Sequence, residues 1–148
     1  MRILLDTNIL GRLAQPRQAS HAVTVSATEK LLQADHELRV VPQVMYEFWA
    51  IATRRVEDNG LGLTVEQVEA ELNQFSLVFP PLRDERDILD PWLRLVTKHR
   101  VQGKSTHDAR LVAAMQRHGV THILTFNVSD FKRFAGIEVL DPRAVAKP

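Results

Sequence analysis

The chain contains no cysteine. Disulfides and thiolate metal sites are therefore excluded, and any metal must be held by oxygen or imidazole ligands. It also lacks a long apolar run. The opening run of Ile3, Leu4 and Leu5 is broken by Asp6, so it is too short for a signal peptide or a membrane span. The expectation is a cytoplasmic protein with no membrane partner. A strong charge of one sign is missing as well: the formal net charge is +1 and the sequence pI about 8.2. No basic field across the whole surface advertises nucleic acid, although local patches remain available. Internal repeats and low-complexity segments are absent. What is present is an ordinary globular composition, 45% hydrophobic and 25% charged over 148 residues, enough for one core. A single domain over residues 1–148 is expected.

Apolar patterning alternates short strands with helices. Ile3 to Leu5 reads as a strand buried on both faces. A short helix is predicted over Asn8–Ala14 and a loop around Pro16. A longer helix follows over about His21–Ala34, with Ala22, Val25, Leu31 and Leu32 among its apolar positions. Leu38, Val40 and Val41 give a second strand, stopped by Pro42, and Gln43–Arg55 returns to helical spacing. Thr64 with Gln67 matches a capping box and opens a helix to about Ser76. Leu77–Phe79 suggests a third short strand before Pro80 and Pro81. Asp90 and Pro91 suit an N-cap and first helical residue, opening a helix to about Arg100. A strong helix from Lys104 is closed by Gly119. His122–Thr125 and Ile137–Leu140 complete the strands, and Asp141-Pro142 ends the regular structure. Strands alternating with helices imply an α/β fold with a mainly parallel sheet covered on both faces.

Four acids occupy improbable places in this pattern. Asp6 stops the first buried strand, where open α/β sheets place their ligands. Its competing reading is a plain helix cap. Glu47 lies three residues after Val44 and four before Ile51, so it projects from their apolar face. Asp108 precedes Leu111, Val112 and Met115 by three, four and seven residues and points into their face. Ser105 with Asp108 also matches a capping pattern, and an acid there suits the helix dipole. Asp130 follows the His122–Thr125 strand and is flanked by aromatics. Strand ends of a parallel sheet share one edge, so the four can converge. Converging carboxylates repel and resist desolvation unless they bind cations or give up charge. Oxygen ligands without cysteine favour Mg²⁺ or Mn²⁺. Such ions activate water and stabilise the leaving oxygen of a phosphodiester.

The runs Leu5-Asp6-Thr7-Asn8, Tyr46-Glu47-Phe48, Thr106-His107-Asp108-Ala109 and Leu124-Thr125-Phe126-Asn127, leading to Asp130-Phe131, resemble the motifs of PIN-domain nucleases. The likeness is greatest to VapC-type toxins of bacterial toxin–antitoxin pairs. It runs in order from the first strand to the last, although residues 57–85 resemble nothing usable. It implies a three-layer α/β/α sandwich and Mg²⁺- or Mn²⁺-dependent cleavage of RNA. It also implies a cognate antitoxin and a homodimer. Asp6, Glu47, Asp108 and Asp130 take over the acidic, metal-binding roles, with Thr7 and Asn127 as auxiliaries.

Other residues carry weaker signals. His107 neighbours Asp108, but adjacent helical positions point about 100° apart. Lys98, His99, Arg100 and Lys104 form a basic cluster that reads either as a solvated face or as a phosphate site, and Arg54 and Arg55 resemble it. Trp49 and Trp92 fit helical core positions. Two other function classes compete. A phosphatase also uses an acid after its first strand, but a second acid beside Asp6 and a lysine within Leu124–Asp130 are both missing. A non-catalytic RNA- or protein-binding domain of the same fold would be marked by loss of one of the four acids, and all four are present.

Overall fold

The computed structural model describes all 148 residues. Four short strands form the sheet: β1 (Arg2–Leu5), β2 (Glu37–Arg39), β3 (His122–Leu124) and β4 (Glu138–Leu140). The helices are α1 (Thr7–Leu13), α2 (Ala19–Gln33), α3 (Pro42–Thr53), α4 (Val65–Val78), α5 (Leu89–Lys98), α6 (Ser105–His118), α7 (Val128–Phe131) and α8 (Pro142–Val145). Strand order is β2-β1-β3-β4, and every pairing is parallel. Parallel strands need crossovers, and the helices that supply them cover both faces. The fold is thus a three-layer α/β/α sandwich. Ile3, Leu4 and Leu5 have no exposed surface and anchor a single 29-residue core. No helix is long and apolar enough to cross a membrane.

The topology fixes where a site can form. From β1 the chain moves to one side to make β2, then crosses back to make β3 on the other side. This reversal is a switch point, and ligands of open α/β sheets bind outside the carboxyl ends of the strands there. Leu5 pairs with Leu124, and the Asp6 N–H donates to the Leu124 carbonyl at 3.1 Å. Asp6 and Thr125 therefore leave the sheet side by side.

Several predicted elements hold. Thr64 and Gln67 make both bonds of a capping box. Gly119 ends α6 in the left-handed conformation, φ 67°. Trp49 and Trp92 pack against the core.

Others are corrected. Leu77–Phe79 is no strand. Helix α4 continues to Val78, and the extended contact comes later, where Val40 bridges Pro81 and the Leu82 N–H donates to the Val40 carbonyl. Asp90 is not an N-cap: a 3-10 turn over Arg86–Ile88 runs straight into α5 and leaves Asp90 in its first turn. Ser105 is the first residue of α6 rather than its cap, and no side chain caps this helix. Asp141-Pro142 does not end the regular structure but opens α8, with Asp141 accepting from the Arg143 N–H. In α2 the packed positions are Thr24, Ala27, Thr28 and Leu31, while Ala22 and Leu32 face solvent. The buried threonines are tolerated because their hydroxyls donate to Ser20 and Thr24 carbonyls one turn back.

Candidate active site

Asp6 is 6% exposed and occupies the N-cap of α1. Its Oδ1 accepts the Thr7 N–H at 2.7 Å. Its Oδ2 accepts the Thr125 hydroxyl at 2.7 Å and the Asn8 amide at 3.1 Å. The capping reading of Asp6 is therefore correct, and it leaves room for more, since each carboxylate oxygen offers two lone pairs. Burial pushes the Asp6 carboxyl above its ordinary range. The Thr125 and Thr7 bonds oppose that push, and the charges of Glu47 and Asp130 add to it.

Glu47 comes from the middle of α3, whose neighbouring Val44 and Phe48 are fully buried. Both of its oxygens are held. Oε2 accepts the Thr7 hydroxyl at 2.6 Å, and Oε1 accepts the Gln43 amide at 2.9 Å. Gln43 is itself 7% exposed. Its amide also donates to the His107 carbonyl at 2.8 Å, and its oxygen accepts from Arg110 at 3.2 Å. Arg110 in turn pairs with Asp84 at 3.0 Å. This chain fixes which way the Gln43 amide faces and so presents its NH₂ to Glu47.

Asp108, in the first turn of α6, is half-buried, and its side chain has no hydrogen-bond partner. Burial first, then the charges of Asp6, Asp130 and Glu47, push its carboxyl up to about 7. Asp130 lies on α7 and is exposed, less enclosed than its position between aromatics suggested. Glu47, Asp108, Asn127 and Asp130 line one cleft of about 580 Å³, with Lys104 and Arg54 on its rim. Asp6 lies close enough for its charge to act on Asp108. None of the four acids forms an ion pair. As placed, no three acids or histidines surround one point at ligand distance. The Asp108 and Asp130 side chains line the same cleft and make no ion pair that would hold them away from a shared cation. A hard cation fits this donor set: oxygen ligands, excess negative charge and no competing base bound to it.

The two expected auxiliaries fare differently. Thr7 links Asp6 to Glu47, whereas the Asn127 side chain lines the cleft without a bond of its own. Asn8, Thr125 and Gln43 do the holding. Asn8 ties Asp6, Thr125 and the Phe126 N–H together. Asn8 and Thr125 stand inside the motif runs, but the sequence reading gave neither a role. Gln43, four residues before Glu47 on α3, carried the i, i+4 signal. His107 is exposed at the cleft rim. Of the basic candidates, Lys104 and Arg54 reach the cleft, while His99 packs edge-on against Phe134 and Arg55 pairs with Asp58.

A parallel sheet with carboxylates gathered at its switch point is the arrangement of a PIN domain. The chain matches the PIN domain family over residues 3–137 and belongs to it. No curated protein matches it by sequence. Several solved structures share its fold. VapBC2 from Rickettsia felis, bound to a DNA fragment from its promoter, is 16% identical with a TM-score of 0.71, covering 95% of this chain and 98% of that one. FitAcB from Neisseria gonorrhoeae is 15% identical with a TM-score of 0.66, covering 96% and 98%. VapC20 from Mycobacterium tuberculosis, a sarcin–ricin loop cleaving toxin, is 18% identical with a TM-score of 0.60, covering 82% and 86%.

Proposed function

We propose that this chain is a Mg²⁺- or Mn²⁺-dependent endoribonuclease and the toxin of a toxin–antitoxin pair. The observation that carries the reading is Asp108. Its carboxylate faces three other acids, is half-buried, and has neither hydrogen-bond donor nor ion-pair partner. Its oxygens open into the cleft, where a cation can reach them. Asp6, Glu47, Asp108 and Asp130 would hold the metal. When bound, it supplies Lewis acidity and a nucleophilic water at neutral pH.

The chain's own residues set the geometry. Thr7 and Gln43 each fix one oxygen of Glu47. Thr125, Asn8 and the Thr7 N–H fix Asp6. Both carboxylates are held before substrate arrives, which lowers the reorganisation needed in the transition state. Lys104 and Arg54 at the rim offer positive charge to the RNA backbone. Asn127 offers an amide toward the substrate. The acidic cleft would also attract a basic side chain of an antitoxin, and a toxin–antitoxin complex from Klebsiella pneumoniae shares the fold. The family resemblance also implies a homodimer, for which the exposed Leu89 and Leu93 of α5 offer one apolar surface.

The test incubates the protein with RNA in chelator, Mg²⁺ or Mn²⁺, beside Asp6→Asn and Asp108→Asn. Cleavage is expected only with metal, and at least a hundredfold slower in either variant, on the order of a lost catalytic group. Wild-type rates in either variant, with contaminating nuclease excluded, would refute the assignment. RNA binding without cleavage under every condition would instead make the chain a non-catalytic binding domain.

A further inference from the structure

A second cleft opens on the other side of the Thr7–Glu47 contact. It holds about 470 Å³ and is lined by Thr7, Asn8, Gly11, Arg12, Gln15 and Phe48, among others. Ile51 borders both this cleft and the acidic one. The two clefts therefore adjoin at Ile51, and α1 lines the second.

Arg12 is the unusual group there. Six arginines of the chain sit in ion pairs: Arg2, Arg39, Arg55, Arg110, Arg117 and Arg143. Every other arginine outside an ion pair is exposed, so water solvates it, except Arg12. Arg12 is partly buried, and its Nε is enclosed with no acceptor. The guanidinium's only hydrogen bond is a long one, 3.4 Å, to the Asn8 carbonyl. Its guanidinium lies 4.1 Å from the centre of the Phe126 ring, which stacks it without neutralising it. Arg143 sits on the same ring at 5.6 Å, but Asp141 already pairs with it. The enclosed Nε has no acceptor and no carboxylate pairs with the guanidinium, so an anion entering the cleft would supply the partner it lacks.

Gly11 is an independent sign. It lies inside α1, where glycine weakens a helix relative to alanine. Its backbone is not left-handed, and a Cβ built there would meet nothing within 4 Å. Neither turn geometry nor internal packing requires glycine at this position. What the missing side chain leaves free is the cleft itself.

We propose that this cleft binds the phosphate next to the scissile one on a single-stranded RNA, with Arg12 as its ligand and Gly11 keeping the path open. The proposal rests on the ribonuclease reading above. The guanidinium folds back toward Asn8, the residue that also holds Asp6. The guanidinium fork suits a phosphate better than an ammonium would. Phe126, under the guanidinium, holds its plane in position.

The test uses a labelled, unstructured RNA oligonucleotide and the full chain. Binding is followed by fluorescence anisotropy in chelator across a salt series, and turnover is measured in Mn²⁺. Arg12→Gln should weaken RNA binding about tenfold and make the salt slope shallower by about 0.7, the share of one single-strand phosphate. Its KM should rise in proportion while kcat stays within twofold. Arg12→Lys should recover the salt slope. Gly11→Leu should also weaken RNA binding while melting no lower than the wild type. Unchanged affinity and slope in Arg12→Gln, or a loss seen only alongside a lowered melting temperature, would overturn the proposal. Arg12-dependent binding without any wild-type cleavage would sink the ribonuclease reading and leave the RNA site standing. Normal cleavage with Arg12-independent binding would sink the site alone.

Discussion

Asp108 shows how one residue's surroundings set its chemistry. Its folded-state pKa of about 7 lies above the roughly 3.9 of an unfolded aspartate. Between those values the folded chain holds a proton that the unfolded chain has lost. Stability from this group is fully present below about pH 4 and is lost as the pH rises through about 7. A shift that size would cost about 4 kcal/mol for an enclosed group. Asp108 is only half-buried, and solvent screening reduces the cost to about 1–2 kcal/mol. In chelator, Asp108→Asn should therefore melt above the wild type at pH 8, with the gap closing as the pH falls toward 4.5. Melting curves across that range check it, and a variant less stable than wild type at pH 8 contradicts it. Glu47 and Asp108 were singled out by their apolar helix faces and Asp6 and Asp130 by their places after strands, although Asp130 is exposed. Their holders were less legible. Asn8 and Gln43 are ordinary polar residues in sequence, and only the bonds at 3.1 Å and 2.9 Å to Asp6 and Glu47 give them a role.

Elements were legible where local chemistry fixes them. The Thr64–Gln67 capping box and the Gly119 stop both depend on neighbours within a few residues. Gly119→Ala tests the second. The residue needs φ 67°, and a Cβ there would meet nothing. The cost is purely conformational, about 1 kcal/mol, read as a lower melting temperature with activity unchanged. A variant as stable as wild type would show that the α6 terminus does not depend on the left-handed turn. Elements were misread where tertiary packing decides. Leu77 and Val78 have strand-like residues but stay helical, because the edge of the sheet beside Val40 is met by Pro81 and Leu82 instead. Ser105 matches a cap by spacing, yet α6 starts at that residue. That error matters for function, since an Asp108 tied into a capping box would not be free to face the other acids.

The whole molecule gathers its acids by topology rather than by composition. A net charge of +1 conceals an acidic edge at the switch point between β1 and β3. Asp6 leaves β1, Asp130 follows β3, and α3 and α6 bring Glu47 and Asp108 to the same edge. The alternation of strands and helices foretold the parallel sheet. The strand order, which creates the switch point, depends on long-range pairing that no local pattern carries. The central claim is that this edge is a cation site. Melting curves of wild type and Asp108→Asn, with and without Mn²⁺, test it most directly. An ion that binds only the folded chain stabilises it by about 2.7 kcal/mol at a hundredfold excess over its Kd. For a chain this size that raises the melting temperature by about 5 °C or more. The account predicts that rise for the wild type and a clearly smaller one for Asp108→Asn. Indifference of both proteins to Mn²⁺, with the variant the less stable in chelator, would make the four acids ordinary structural residues.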